Sequence, residues 1–554
     1  MATSATGSVV DTGEQLKVSD EFRRSCARWM EYPTNSIRKT IGMSPSTLEE
    51  YRNELSSAEG SLFQSSEDNV EVCFRDFGGQ GMAPGGLSKL RAHSEERMWQ
   101  WLGIETNNSP DKEKMIIRES DPKSRFIYIY APSPRGRLSI TRSMLAMILS
   151  FHQVMPEYLD FIGSFSIQPG WITRFTGFRA RKDLEAPPPM LVMEGLKRSG
   201  QQFEVVYNLK GVTMIRQNEW VIRNAVFYHR FDLITARAVW IVTKAGLDIL
   251  GRYKDLTSAI GRQEDRSFDT LQECFIASLS PHVLFCHWSS ENWRRYIRHL
   301  EGLGLQSDST PSNASYQVNH LREMQICNEL VNEALGIVEG NMNVVRSLRE
   351  FYFVLSADED LPLEFRVYPA TRSTIGFLQE LDALTSEWEN LARTCKDLEK
   401  MTANRTELIR QHLELRTSER SLRLSERMEQ EAVVMRIVTL VTLIYLPATF
   451  VSTFFSTDVV KYQEDDYPNG RYSKLAMVRW LQVTLPLTFV TLFAAWMGMR
   501  WSARSSRDDW ATARSPSAKF KLGGWVKDRW RNTGKRRARR DSRGSDDFHT
   551  VNID

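Results

Sequence analysis

Two segments near the C-terminus break the alternation of short apolar and polar runs that fills the rest of the chain. The first runs from Ile437 to Phe455 and the second from Trp480 to Met499, and neither contains a charged residue. Each is long enough to cross a hydrocarbon core of about 30 Å as a helix. Pro447 and Pro486 lie inside them, which a membrane helix tolerates because neighbouring groups re-satisfy the freed carbonyl. We therefore predict two transmembrane helices, since a buried hairpin of a soluble protein rarely holds two such spans.

The charges that flank these spans indicate their orientation. From Arg500 to Arg540 there are fourteen lysines and arginines against three acidic residues, ending in KRRARR. The connecting loop, Ser456 to Met477, is slightly acidic. Basic flanks stay in the cytosol, so we expect both termini to be cytosolic. A solvated, disordered basic tail is favoured over a nuclear signal or a phosphoinositide contact.

The first span carries a polar stripe. Its members recur at steps of four and three, which places them on one helix face: Thr442, Leu446, Thr449, Thr453 and Ser456. Hydroxyl groups are common in helix–helix packing inside membranes, and they also suit the wall of a pore. The spacing alone leaves both interpretations open.

A very long helix is predicted in front of the first span. From Phe377 to Leu446 there is no glycine and no proline, and a continuous helix of that length measures about 105 Å. Its first part has an apolar heptad, as in a coiled coil: Phe377, Leu381, Leu384, Trp388, Leu391, Cys395 and Leu398. This seam packs either on a partner helix of another copy or on helices of the same chain. In both cases a rigid rod would couple the soluble domain mechanically to the membrane.

The region before this helix is predicted to be an α+β domain, with a mixed sheet first and a helical layer after it. Aromatic and branched residues predict strands at Arg125–Ala131, Phe203–Leu209, Trp220–Phe231, Arg237–Lys244 and His282–Trp288. Helices are predicted at Ser139–Ile162 with an end near Pro156, at Glu291–Leu300, and at Leu321–Leu355 as two helices or one kinked helix.

Composition excludes several functions. The net charge of the 554 residues is only +3, which gives no case for nucleic-acid binding. None of the six cysteines forms a CxxC pair, so we expect reduced thiols in a cytosolic domain. There is no Walker loop, HExxH or GxSxG motif, so no enzyme or cofactor is predicted. His282, Cys286 and His287 are candidate metal ligands, but Cys286 and His287 on a strand would point to opposite faces, which favours a structural role.

With these features in place, the chain resembles the CorA family of divalent metal transporters, specifically the CorA-like branch seen in fungi. The membrane part carries the resemblance through MRIVTLVTLIYLPATFVSTFFSTDVVKYQ and RWLQVTLPLTFVTLFAAW, and the soluble part through FHQVMPEYLDFI, WVIRNAVFYHRF, RAVWIVTK and CHWSSENWRRYI. The resemblance implies a homopentamer in the lipid bilayer whose first transmembrane helices line one central pore for divalent cations. The implied pore-lining residues are Met435, Val438, Thr442, Leu446, Thr449 and Thr453, of which Met435, Val438 and Leu446 match an apolar constriction.

The chain departs from the family at the pore mouth. The family's Gly-Met-Asn signature falls on Ser456, Thr457 and Asp458. Five copies of Asp458 would form a much stronger cation site than the family's asparagine ring, and Asp458 is the one expected metal-binding residue. Glu464, Asp465 and Asp466 are either a further cation-attracting collar or a solvated loop.

The resulting expectation is a transporter or channel for a divalent metal cation, Mg²⁺ or a related ion, in the plasma membrane. The alternative is a non-conducting CorA-like scaffold or cation sensor. The expected organisation, by residue number, is a disordered N-terminus (1–20), a cytosolic α/β domain (21–370), a stalk helix (371–434), a first span (435–456), an acidic extracytosolic loop (457–477), a second span (478–500) and a basic disordered cytosolic tail (501–554).

Overall fold

The computed structural model divides into two compact units, Met1–Glu414 and Leu415–Asp554. It describes residues 16–39, 42–79, 86–106, 115–131, 136–165, 175–216, 219–245, 249–306, 316–456 and 474–513. The boundary between the units falls inside one helix, so each unit is described by itself.

A seven-stranded mixed sheet forms the centre of the first unit. The strands are β1 (Val72–Phe77), β2 (Leu87–Ala92), β3 (Ile104–Thr106), β4 (Met115–Ile117), β5 (Ser124–Ala131), β6 (Phe178–Asp183), β7 (Gln202–Arg216), β8 (Glu219–Asp232) and β9 (Ala238–Ala245). Their order is β2-β1-β5-β9-β8-β7-β6, and β3 pairs with β4 in a separate ribbon. Only β5 and β9 run parallel among these neighbours, and the other pairs are antiparallel. The predicted mixed sheet is confirmed.

Thirteen α-helices lie among the described residues. In the first half of the chain they are α1 (Asp20–Ala27), α2 (Pro45–Ser57), α3 (Glu59–Leu62), α4 (Glu95–Trp101), α5 (Arg142–His152) and α6 (Tyr158–Ile162). The later helices are α7 (Ile249–Leu256), α8 (Leu271–Ser290), α9 (Trp293–Gln306), α10 (Val318–Ala357), α11 (Leu363–Arg366), α12 (Ala370–Ser456) and α13 (Lys474–Ala513).

Helices cover both faces of the sheet. Neighbouring residues of a strand point to opposite faces, and the core divides accordingly. Phe227 of β8 packs in the cluster that contains α8, α9, α10 and α12, whereas Val226 packs in the cluster that contains α1, α5 and α6. Because both faces are buried, β5 and β9 have nearly continuous apolar sequences, and β8 is rich in aromatic and branched residues, which is why the three were recognised from the sequence.

The predicted strand at His282–Trp288 is wrong, because these residues lie in helix α8. The helix starts at a capping box in which the Thr270 hydroxyl accepts from the Glu273 N–H, while the Glu273 carboxylate accepts from the Thr270 N–H. A short apolar run fits a buried helix as well as a buried strand. The Thr-x-x-Glu spacing at Thr270 was the signal that distinguishes them.

Two helix predictions needed adjustment. The predicted helix Ser139–Ile162 is divided into α5 and α6, because Gln153 adopts a left-handed conformation with φ 48° and ends α5. The segment predicted as two helices or one kinked helix is the single helix α10. Gly340 lies within α10 where a Cβ atom would come 3.0 Å from the Thr176 Cβ, so close packing against Thr176 accounts for a glycine at this position.

The predicted seam of α12 packs on helices of the same chain. All seven heptad residues from Phe377 to Leu398 are at most 6% exposed and join the core cluster of α8, α9 and α10. Ion pairs at the rim add to this contact, for example Arg349–Asp382 at 2.9 Å and Lys396–Glu339 at 2.7 Å. The seam is therefore an intrachain contact in this structure.

Two of the expected domain bounds differ from the structure, one at residue 20 and one at residue 501. The Leu16 N–H donates to the Ile117 carbonyl at 2.9 Å, and Val18 is buried in the core. Residues 16–20 therefore belong to the fold, although they were placed in the disordered N-terminus. At the other end, α13 continues to Ala513, beyond the expected start of the tail at residue 501.

A buried carboxylate joins several elements of the first unit. Arg198 holds Asp121 with two bonds, from Nε at 2.6 Å and from a terminal nitrogen at 3.2 Å. The Arg237 guanidinium donates to the Asp121 backbone carbonyl. Arg198 and Arg230 also donate to the Phe151 and His152 carbonyls, which end helix α5. Burial would raise the pKa of Asp121, but the charge and hydrogen bonds of Arg198 hold that pKa well below its usual range.

A second polar cluster lies between the sheet and the helices. His282 of α8 has Nδ1 2.7 Å from the Tyr207 hydroxyl and Nε2 2.9 Å from the Tyr352 hydroxyl. Nδ1 of His229 on β8 lies 3.1 Å from the same Nε2. Burial lowers the pKa of His282 to about 3 and lowers the pKa of His229 well below its ordinary value, with His282 adding to the latter. Both imidazoles are therefore neutral in the fold.

Asp121→Asn should lower the free energy of unfolding by about 3–5 kcal/mol, because it leaves Arg198 buried without its counter-charge. Tryptophan fluorescence during denaturant unfolding of the purified protein measures the effect. Glu31→Gln is the matched control, since its ion pair with Arg28 is about half exposed and should contribute less than about 1 kcal/mol. An effect of Asp121→Asn as small as that of the control would contradict this account.

Acidification from pH 7 to pH 5 should destabilise the first unit through the two histidines. The unfolded chain binds protons below pH about 6.5 while the fold keeps His282 neutral, so each such histidine costs about 2 kcal/mol at pH 5. His282→Gln should remove its share of the acid sensitivity in pH-dependent unfolding measurements. His412→Gln, on the exposed surface of α12, should leave it unchanged. Equal slopes for both variants would refute the assignment.

Candidate functional site

The described part of the second unit consists of the C-terminal part of α12, from Leu415, and helix α13. Both helices contain a stretch long and apolar enough to cross a membrane, one within Ala370–Phe454 and the other within Met477–Gly498. The two predicted spans lie on these two helices. Pro447 and Pro486 both lie within continuous helices, as predicted.

A small set of buried residues packs α12 against α13. Pro447 and Val451 of α12 are buried, and so is Thr484 of α13. The Trp480 indole N–H donates to the Ser452 hydroxyl at 3.2 Å. Since Pro447 and Val451 are four residues apart, they share one face of α12. At about 100° per residue, this packing face lies on nearly the opposite side of α12 from the predicted polar stripe.

The predicted pore-lining residues all lie on α12 and are exposed in the single chain. Among the apolar members, Met435 is 64%, Val438 52% and Leu446 69% exposed. Thr442, Thr449, Thr453 and the final helical residue, Ser456, are exposed as well. Leu446, Thr449 and Thr453 border the groove between α12 and α13 without being buried by it. Packing within one chain therefore leaves the stripe uncovered.

The hydroxyl groups of the stripe are oriented by the helix backbone. Thr449 Oγ1 donates to the Tyr445 and Leu446 carbonyls, at 3.0 Å each. Thr442 and Thr453 make the same bonds to carbonyls three and four residues earlier, and Ser456 donates to the Thr453 carbonyl at 2.8 Å. Because each hydroxyl proton is used inside the helix, its oxygen presents lone pairs outward. The stripe is thus a row of hydrogen-bond acceptors, which the spacing alone did not reveal.

The predicted pore mouth is only partly described. The described part of α12 extends to Ser456. Thr457 and Asp458 lie outside the described residues, and so do Glu464, Asp465 and Asp466.

The three candidate metal ligands lie in helix α8 of the first unit and differ in exposure. His282 and Cys286 are buried, whereas His287 is about half exposed and lies 2.8 Å from the Glu380 carboxylate. Burial raises the pKa of the Cys286 thiol to about 12, which disfavours the thiolate that a metal needs. Across the described ranges, no cluster of three or more histidine, cysteine or acidic side chains could hold a metal ion. The strand argument for a structural role was wrong, because all three residues lie in helix α8.

Comparison with known families and structures extends over both units. Residues 24–309 match the model of the CorA-like transporters, and residues 366–495 match the model described as CorA-like Mg²⁺ transporter protein. No curated protein matches the chain.

Solved structures with similarity to the chain include two of low resemblance. The full-length CmaX protein has 12% identity and a TM-score of 0.33, over 79% of this chain and 100% of that one. The cytoplasmic domain of ZntB from Vibrio parahaemolyticus RIMD 2210633 has 9% identity and a TM-score of 0.30, over 61% of this chain and 99% of that one. Likeness at this level adds no argument, whereas the first family model alone spans more than half of the sequence. The chain therefore belongs to the CorA-like family of transporters.

Proposed function

We propose that the protein is a homo-oligomeric, channel-like transporter for a divalent metal cation, Mg²⁺ or a related ion, with its pore lined by the first span. The observation that carries the proposal is the exposed row of hydroxyl acceptors on α12. The water molecules around a cation point their hydrogens outward. Magnesium also loses its water reluctantly, so a wall of acceptors suits an ion that keeps its hydration shell.

The apolar positions of the same face complete the path. Met435 and Val438 precede the threonines and Leu446 lies between Thr442 and Thr449. All three apolar side chains are more than half exposed in the single chain. Exposed side chains of this size within an oligomer of identical helices would form narrow apolar rings. Such rings can close a pore by excluding water, so we assign the gate to these three residues.

A single α12 helix cannot enclose a pore, so the proposal requires several copies, five by resemblance to the family. Intrachain packing on α13 uses Pro447 and Val451 and leaves the stripe free for this purpose. We further propose that Asp458, two residues after Ser456 in sequence, forms an acidic ring at the mouth with Ser456 and Thr457. Glu464, Asp465 and Asp466 would concentrate cations outside it. Both termini would be cytosolic, and the plasma membrane is the proposed location.

Purified protein in liposomes should pass divalent cations, and Asp458→Ala should reduce the flux by about tenfold or more, because the charged ring raises the local cation concentration. Fluorescent indicators inside the vesicles measure Mg²⁺ and competing ions. Asp397→Ala, which removes a carboxylate that is 81% exposed in the soluble unit, is the control and should keep full flux. Oligomeric protein that passes no divalent cation would contradict the transport proposal. The alternative function, a non-conducting scaffold or sensor, would then remain.

Thiol labelling tests which span lines the pore, and the native cysteines favour this design. All six are free and buried, and burial raises the pKa of Cys26 and Cys395 to about 12, so a polar thiol reagent should not modify them. A cationic methanethiosulfonate should reduce the flux of Thr449→Cys by at least half, because the added group narrows the path.

The matched control for labelling is Phe489→Cys on α13, whose side chain is 72% exposed on the second span. Its flux should be insensitive to the reagent. Block of Phe489→Cys with no effect on Thr449→Cys would move the pore lining to the second span.

A further inference from the structure

A cleft opens in the first unit between α8, the first turns of α12 and the segment that follows α7. Its volume is about 580 Å³, within the range of small-molecule sites in proteins. The transport proposal makes no use of it. The cleft lies entirely within residues 256–380.

The walls of the cleft are apolar in the middle. Ile276, Leu279, Val283 and Leu284 recur on one face of α8, and Phe377 faces them from α12. Polar groups lie at two places on the rim. One is Ser280 with Arg262 and Glu264, and the other is His287 with Glu380. Ser280 and His287 are seven residues apart, which is about 10 Å along the helix axis.

The charges on the rim favour a cationic ligand. Asp265 already engages the Arg262 guanidinium with two bonds of 2.9 Å. Glu380 is paired with the His287 imidazole at 2.8 Å, and an imidazole is charged only when it is protonated. Glu264 makes no ion pair within 4 Å among the residues that the structure describes. Two carboxylates are therefore available to a positive group that enters the cleft.

Gly376 shows that the α12 wall leaves room. It is a helical residue that lines the cleft, and a Cβ atom added to it would meet no heavy atom within 4 Å. A larger side chain could extend from this position into the cleft without displacing the backbone. The position therefore offers a way to fill the cleft and leave the fold intact.

From this combination we propose that the cleft binds a small amphipathic amine. The hydrocarbon or aromatic body lies between Val283 and Phe377, and the ammonium group pairs with Glu380. Because α8 and α12 both line the cleft, the bound amine connects the two helices and stabilises their contact.

The test uses full-length protein in lipid nanodiscs with 4-phenylbutylamine, which has an aromatic body and a single ammonium group. Ligand-observed NMR against empty nanodiscs should show a saturable component, with Kd on the order of 1 mM for a fragment of this size. The anionic analogue 4-phenylbutyrate should bind at least tenfold more weakly, because Glu264 and Glu380 repel it.

Two variants and one control complete the test. Gly376→Leu should abolish the saturable component, and Glu380→Gln should weaken it severalfold. Gly336→Leu is the matched control on α10, where an added Cβ also meets nothing within 4 Å, and it should bind normally. Unchanged binding in both Gly376→Leu and Glu380→Gln, or equal binding of the butyrate, would overturn the proposal. All of these readouts are independent of ion flux.

Discussion

The apolar seam of α12 is the contact on which the rest of the molecule depends. Seven side chains between Phe377 and Leu398 are buried against α8, α9 and α10. At about 1.5–3 kcal/mol for each side chain, this burial contributes roughly 10–20 kcal/mol before conformational entropy is counted. Beyond residue 405 the same helix is densely charged and largely exposed. The contacts of α12 within the first unit are therefore made by its N-terminal part.

Much of the fold could be predicted because its central strands are buried on both faces. The β5, β8 and β9 segments are rich in aromatic and branched residues and were located within a residue or two. β6 was missed, because its sequence Phe178–Asp183 is mostly charged and it lies at the sheet edge. The Asp121 cluster could not be foreseen at all, since Arg198 and Arg237 are 77 and 116 residues away in sequence.

The candidate site shows the same division between local and non-local information. The spacing of Thr442, Thr449 and Thr453 placed them on one face, because helical periodicity is a local property. Whether that face is free depended on which residues pack on α13, and this contact involves side chains such as Trp480 about thirty residues later. The direction of the hydroxyl protons follows from the helix backbone, and a periodicity argument does not include it. Together these facts leave the stripe uncovered by packing within one chain.

The edge strands of the sheet affect how another chain can pair with it. Among the described residues, β2 and β6 form the two edges of the sheet, and each has exposed basic side chains, Lys89 and Arg91 on one and Arg179 and Lys182 on the other. Arg91 pairs with Glu71 and Lys182 with Asp358, so these edges carry charged pairs as well as single cations. Charged side chains on an edge strand discourage the addition of a further strand from another chain.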